Sequence, residues 1–349
     1  MKIAQIAPLD ESVPPQLYGG TERVVAHLCD ALVDRGHEVT LFAAAGARTR
    51  AHQVSARDQP IRLDKSELKS ELGAHLSMLH DVRERAGQFD ILHFHTEMLH
   101  FPMFEQLAHK TVTTLHGRLD VKDLPGVYSR WPQFGLVSIS NDQRRPLPHA
   151  HWLATVPHGL ELDLYRFQER SRPGYLAFLG RISPEKGADA AIRIASKAGL
   201  PLKIAAKVDD ADAVYFDSEI KPLLENQAVE FVGEIGDEQK SQFLGDALAL
   251  LFPVDWPEPF GLVMIEAMAC GTPTIAWQRG SVPEVIDEGV TGLIVNSIEE
   301  AVAAIPRVRQ LDRQRIRATF ERRFGAETMA NAYLDVYNRL LASRPTAAP

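Results

Sequence analysis

Cysteine is scarce in this sequence: Cys29 and Cys270 stand far apart, and neither lies in a CxxC or metal-ligand spacing. A disulfide framework and a cysteine-built zinc site are thereby excluded, and a cytoplasmic location is expected. Basic charge is also short, with 38 Lys+Arg against 46 Asp+Glu, a formal net charge of −8 and a pI near 5.9. The chain thus lacks the positive field of a general nucleic-acid binder. No apolar run approaches a membrane span, and no N-terminal stretch has the basic, apolar and small-residue regions of a secretory leader. The fingerprints GxGxxG and GxxxxGK[ST] are both missing, which argues against a typical dehydrogenase and a P-loop nucleotidase.

What is present is an ordinary globular composition, 45% hydrophobic and 24% charged over 349 residues. That length exceeds what one core usually organises, so two domains are expected. The interval 48–69 mixes six Lys/Arg with acidic residues and reads as a solvated face, although peripheral contact with anionic lipid is compatible with it.

The N-terminal run MKIAQIAP is apolar, the loop VPPQLYGG is rich in Pro and Gly, and TERVVAHLCDALVDRG carries Val24, Val25, Leu28, Ala31 and Leu32 at helical spacing. HEVTLFAAA then reads as a buried strand, completing a βαβ opening. FDILHFHT, TVTTLHG, GLVSIS and ATVPHG are further strand candidates. After the polar, Pro- and Gly-bearing ERSRPG the pattern restarts with GYLAFLGRI, PLKIAAKV, VEFVGEI and LALLFPV. The expectation is an α/β chain of two Rossmann-like parallel-sheet halves, residues 1–168 and 169–324. Ligands of such sheets bind at the carboxyl ends of the strands, so the loops YGG, LHG, LGRISPEKG and WPEPFG are expected to line one central cleft.

Residues 262–270, LVMIEAMAC, are apolar except for Glu266, and Gly271 and Pro273 end the expected helix. A helix apolar all round is buried, and a buried carboxylate needs donors. These could be a buried Arg, a backbone amide, or a ligand diol such as a ribose, with the helix N-terminus at Gly261 and Leu262 open to phosphate. Arg181 ends a strand and Lys186 follows five residues on, so both are placed to point into the same crevice as cations. The HxH of His93 and His95, with His100 nearby, lacks a second ligand cluster and is not read as a metal site. Asp210 and Asp212 form a DxD that could hold a divalent ion but reads as helix capping.

With GRISPEKG, EPFGLVMIEAMACGTP, RGSVPEVI, GVTGLIV, YGGTERVV and TLHG in this order, the chain resembles the family-4 retaining glycosyltransferases of GT-B architecture. The resemblance covers nearly the whole chain and implies transfer of a sugar from a nucleoside-diphosphate sugar, uridine preferred, to an acceptor hydroxyl. It implies that Glu258 contacts the donor sugar, Glu266 holds the ribose hydroxyls, and Arg181 and Lys186 meet the diphosphate. Phe260, Gly261 and Leu262 match the segment approaching phosphate and sugar, Gly19 and Gly20 the loop over the diphosphate, and His116 a histidine near the reacting centre. Glu284 receives no role. The chain departs from the family pattern at His158, which stands where many members have Asn and is read here as a satisfied polar residue in a turn. No cofactor and no metal are expected. The donor nucleotide sugar and an acceptor (a sugar, a lipid-linked glycan or a small molecule) are the expected partners. The helix of 325–349 is expected to complete the first domain. A nucleotide-sugar epimerase of the same architecture and a catalytically silent nucleotide-sugar-binding module are the rival readings, and the presence of His116, Glu258 and both cations argues against silence.

Overall fold

The computed structural model describes residues 1–17, 19–170, 174–225 and 228–343. Tyr18 of the YGG loop, Ser171, Arg172 and Pro173 of ERSRPG, and the end of the expected 325–349 segment lie outside the described residues. The chain divides into two compact units, one formed by Met1–Glu161 and the chain from Ala326 onward, the other by Leu162–Gly325.

Unit 1 carries seven strands: β1 Lys2–Ile6, β2 Glu38–Ala44, β3 His52–Arg57, β4 Ile91–Phe94, β5 Thr111–Thr114, β6 Gly135–Ser138 and β7 Trp152–Thr155. Their order is β3-β2-β1-β4-β5-β6-β7, with every pairing parallel. Unit 2 carries six: β8 Leu176–Arg181, β9 Leu202–Lys207, β10 Val229–Gly233, β11 Ala249–Phe252, β12 Thr274–Trp277 and β13 Gly292–Val295. Their order is β10-β9-β8-β11-β12-β13, again all parallel. Parallel strands covered by helices are buried on both faces, which is why β4 (ILHF), β5 (TVTT) and β11 (ALLF) are buried at every position. Each sheet reverses its strand order once, between β1 and β4 in unit 1 and between β8 and β11 in unit 2. Such reversals open a crevice at the carboxyl ends of the strands.

Three elements depart from the sequence reading. The charged interval 48–69 contains the edge strand β3, whose residues are half-buried or exposed and which pairs in parallel with β2. Its Arg57 is paired with Asp64, so part of that charge is internal to the fold and not a free solvated face. β12 and β13 extend the second sheet beyond the expected strands. The units divide after Glu161 instead of after residue 168. The segment between belongs with unit 2, because the Tyr165 hydroxyl lies 3.0 Å from an oxygen of each of Asp237 and Glu266, sharing its one hydrogen between them, and the Gln168 amide donates to the Cys270 carbonyl at 3.1 Å.

The helix Ala326–Ala342 buries Met329, Ala330, Tyr333, Val336 and Tyr337 and packs on the helix Gly20–Asp34 of unit 1. Its two tyrosines reach the middle of the sheet. The Tyr337 hydroxyl lies 2.7 Å from His93 Nδ1, and the Tyr333 hydroxyl 2.9 Å from Thr114 Oγ1.

Candidate active site

In unit 2 the candidate residues stand on either side of the strand-order reversal. Arg181 is the last residue of β8, and the turn Pro184–Lys186 follows it. Gly187 closes that turn at φ 73°, in the left-handed region, and a Cβ there would lie 2.3 Å from the Pro253 carbonyl oxygen. Only glycine permits this backbone approach, so SPEKG is pressed against the loop that follows β11. The Asp255 amide donates to the Glu185 carbonyl at 2.9 Å and fixes the two loops together.

That packing brings Lys186 to Glu258. The ammonium Nζ is 2.5 Å from Glu258 Oε2 and 4.8 Å from the centre of the Trp256 ring, while Trp256 Nε1 donates to the same oxygen at 2.8 Å. The RGSVPE motif braces the site from behind. The Ser281 amide donates to the Glu258 carbonyl at 2.9 Å, and Ser281 Oγ donates to the Phe260 carbonyl at 2.9 Å. Glu284, half-buried in the short helix Val282–Val285, accepts through its carbonyl from Arg323 at 2.5 Å. Phe260 is buried, and Gly261, at φ 77°, is the N-cap of the helix Leu262–Ala269 without a side chain to cap it. A Cβ at Gly261 would meet Met264 and Phe252 at 2.8 Å.

Arg181 lies among carboxylates. Glu185 Oε1 is 2.9 Å away, and Asp209 and Asp212 are each at 3.7 Å. The capping role expected for Asp210 and Asp212 is therefore corrected: neither position caps with its side chain, and Asp212 faces Arg181. The cause is register, since Arg181 pairs with Lys207 across β8 and β9, and the acidic stretch just after Lys207 falls beside the guanidinium.

Glu266 is 2% exposed, and its partners are side chains absent from the sequence reading. Lys240, from the helix Asp237–Gly245, donates to Oε1 at 2.9 Å, and Tyr165 donates to the same oxygen at 3.0 Å. Lys240 Nζ also lies 3.8 Å from Asp237, so two carboxylates, an ammonium and a phenol form one cluster. In DEQK the lysine resembles an exposed first-turn residue, and only the spatial position of the next strand and helix reveals its burial.

In unit 1, Gly19 is the N-cap and Gly20 the first residue of the helix Gly20–Asp34. His116 follows β5, and its amide and that of Gly117 both donate to Glu97 Oε1, at 3.0 and 3.2 Å. Glu97 adopts φ 50°, and burial raises its carboxyl above the usual range. The sequence reading passed over Glu97 because histidines surround it. His116 Nε2 is 2.9 Å from His95 Nδ1, and the His158 ring stacks on it at 5.2 Å. His158 is thus a buried ring packed on a candidate site residue, not simply a polar residue of a turn. Burial pushes His116 down to about 3 and holds His93, His95 and His158 well below the ordinary histidine range, so all four are neutral. Among the described residues no group of His, Cys, Asp and Glu has metal-site geometry, and no helix is long and apolar enough to cross a membrane.

Two family models match the chain: "Glycosyltransferase Family 4" over residues 18–168 and "Glycosyl transferases group 1" over 163–321. Phosphatidyl-myo-inositol mannosyltransferase of Mycolicibacterium smegmatis is 26% identical over 334 residues, which cover 84% of this chain and 81% of the relative. AviGT4, a glycosyltransferase involved in avilamycin A biosynthesis, has a similar structure, with a TM-score of 0.75, 25% identity and 98% of each chain covered. Anabaena HepE, solved with UDP and glucose, shares the fold at a TM-score of 0.73 with 18% identity, covering 97% of this chain and all of HepE. With both sheets parallel and the two family matches together running from residue 18 to 321, the chain belongs to the family-4 glycosyltransferases of GT-B architecture.

Proposed function

We propose that this glycosyltransferase is a retaining enzyme that moves a sugar from a nucleoside-diphosphate sugar, uridine being the preferred base, to an acceptor hydroxyl, without a divalent metal and in the cytoplasm. The observation that carries the reading is the Lys186–Glu258 pair at 2.5 Å, one turn before the glycine-capped helix Leu262–Ala269. A diphosphate leaving group develops negative charge that fixed cations and helix ends stabilise without reorganisation. In this assignment Lys186 exchanges its carboxylate for phosphate oxygen, Arg181 does the same from its acidic surroundings, and Glu258 turns to the sugar hydroxyls. The acceptor oxygen bonds to the anomeric carbon on the face from which the phosphate oxygen leaves, and that phosphate oxygen takes the acceptor proton. Glu266, held in place by Lys240 and Tyr165, supplies the acceptor oxygens for the ribose diol. HepE, of the same fold, was solved with UDP, which makes uridine the first base to test.

The test combines a thermal-shift screen of UDP-, GDP- and ADP-sugars with transfer assays in EDTA and NMR of the product anomer. A ligand at about 100 times its Kd stabilises by roughly 2.7 kcal/mol. Retained configuration and EDTA-resistant turnover are expected. An inverted product, or activity lost in EDTA and restored by Mn²⁺, would refute the reading, and release of isomerised donor without acceptor would favour an epimerase.

A further inference from the structure

Unit 1 contains a continuous run of hydrogen bonds from the C-terminal helix to His116. Gln5 of β1 donates from Nε2 to the Tyr337 hydroxyl at 3.2 Å, and its Oε1 lies 2.8 Å from His95 Nε2. His95 Nδ1 in turn lies 2.9 Å from His116 Nε2. Gln5 is fully buried, and His95 is 2% exposed.

The proton positions along this run follow from donor and acceptor chemistry. An amide oxygen only accepts, so His95 Nε2 must carry a hydrogen. Burial keeps His95 neutral, and a neutral imidazole has one N–H, so His95 Nδ1 is an acceptor. His116 Nε2 must then be the donor of the 2.9 Å contact, which leaves Nδ1 with its lone pair. His116 Nδ1 is buried and has no hydrogen-bond partner among the described residues. A buried acceptor of this kind carries a desolvation cost that a ligand donor recovers.

We propose that Gln5 and His95 are positioning residues that lock His116 in its Nε2–H tautomer, so that Nδ1 is an obligate acceptor for a substrate hydroxyl. The tautomer half of this inference stands on unit 1 alone; the substrate half rests on the glycosyl-transfer reading. An Nδ1 fixed as an acceptor cannot donate a proton to a leaving group, which separates His116 from a general-acid role. Tyr337 takes part at one remove by accepting from the Gln5 amide nitrogen, which sets the amide oxygen toward His95. The same tautomer-fixing logic operates where a carboxylate orients a catalytic histidine.

The experiment is long-range ¹H–¹⁵N correlation NMR of the histidine-labelled full chain, with His116→Gln assigning the signals. Nε2–H is expected at both His95 and His116. A wild-type His116 protonated at Nδ1 would overturn the proposal without any functional assay. Gln5→Met keeps the side-chain length but removes the amide, and is expected to let His116 sample both tautomers. It should lower kcat/KM on the order of tenfold to a hundredfold, the scale on which outer partners of metal-bound histidines act, with nucleotide affinity unchanged. Tyr337→Phe is a second variant that frees the amide to turn and is expected to give the same mixed tautomers. Separate titrations with UDP-glucose and with free glucose as the acceptor probe identify the hydroxyl by which one moves the Nδ1 signal; movement by neither overturns the substrate half. A Gln5→Met chain with mixed tautomers and unaltered kinetics also overturns it. If no donor supports turnover, the glycosyl-transfer reading fails while the wild-type spectrum still decides the tautomer.

Discussion

Replacing Lys240 with methionine removes the ammonium that sits 2.9 Å from the nearly inaccessible Glu266 carboxylate. Methionine keeps most of the aliphatic stem, so the substitution tests charge more than packing. Breaking a buried pair by deleting one partner typically costs about 3–5 kcal/mol, because the remaining charge has been taken from water without compensation. For a unit the size of residues 162–325, each kcal/mol corresponds to roughly 2–4 °C, so Tm should fall by about 6–20 °C. Glu266→Gln should cost less, because Lys240 retains Asp237 at 3.8 Å and the amide can still accept from Tyr165. The double variant Lys240→Met with Glu266→Gln should lose less than the two single losses added, with a coupling of about 1–3 kcal/mol. Urea unfolding of the four proteins completes the cycle. Strictly additive losses would show that the pair does not act as a unit, and calorimetry with UDP and GDP supplies the second readout. Glu266→Gln should weaken binding by about 1.5–3 kcal/mol if the carboxylate accepts from the ribose, and unchanged affinity would remove that role.

Further outcomes follow from other residues. Arg181→Ala or Lys186→Ala should lower kcat/KM by on the order of a hundredfold, whereas Asp210→Ala with Asp212→Ala should have a modest effect; steady-state kinetics in EDTA decides between cation and metal. Burial raises the Glu22 carboxyl from 4.5 to about 7, so between those values the folded state holds a proton that the unfolded chain releases. Stability should therefore fall as pH rises from about 4.5 to 7, by on the order of 3 kcal/mol in total. Glu22→Gln should flatten that slope in urea titrations at pH 4.5 and 8, and an equal slope in the variant would assign the effect elsewhere. Gly187→Ala, which drives a methyl into the Pro253 carbonyl from a left-handed backbone, should cost more than about 1 kcal/mol and lower the urea midpoint; an unchanged midpoint would mean that the loop relaxes freely.

The fold was legible where burial alone determines the pattern. ILHF, TVTT and ALLF read as strands because short runs of apolar and β-branched residues suit strands buried on both faces, and GRISPEKG and EPFG read as loops because Pro and Gly punctuate them. His52–Arg57 was not legible, since an edge strand pairs on one side and tolerates HQVSAR. In the candidate site, the apolar surroundings of Glu266 announced a buried carboxylate but not its partner, because Lys240 and Tyr165 lie on separate segments brought together only by packing. Gln5 was silent for the same reason. A glutamine in MKIAQIAP resembles an ordinary strand alternation until Tyr337, 332 positions later, is seen to meet it.

The return of the chain to its first unit also sets an order of assembly on the ribosome. Every residue of the second unit emerges before Tyr333 and Tyr337 do, so that unit can close its sheet while the first is still missing its last helix. Until those tyrosines arrive, Gln5, His93 and Thr114 face an incomplete interior, and the apolar surface of the helix Gly20–Asp34 remains uncovered. The β1 strand is thus made long before the helix that completes its surroundings, and chaperone demand should be greatest for the sheet of unit 1 while unit 2 is being synthesised.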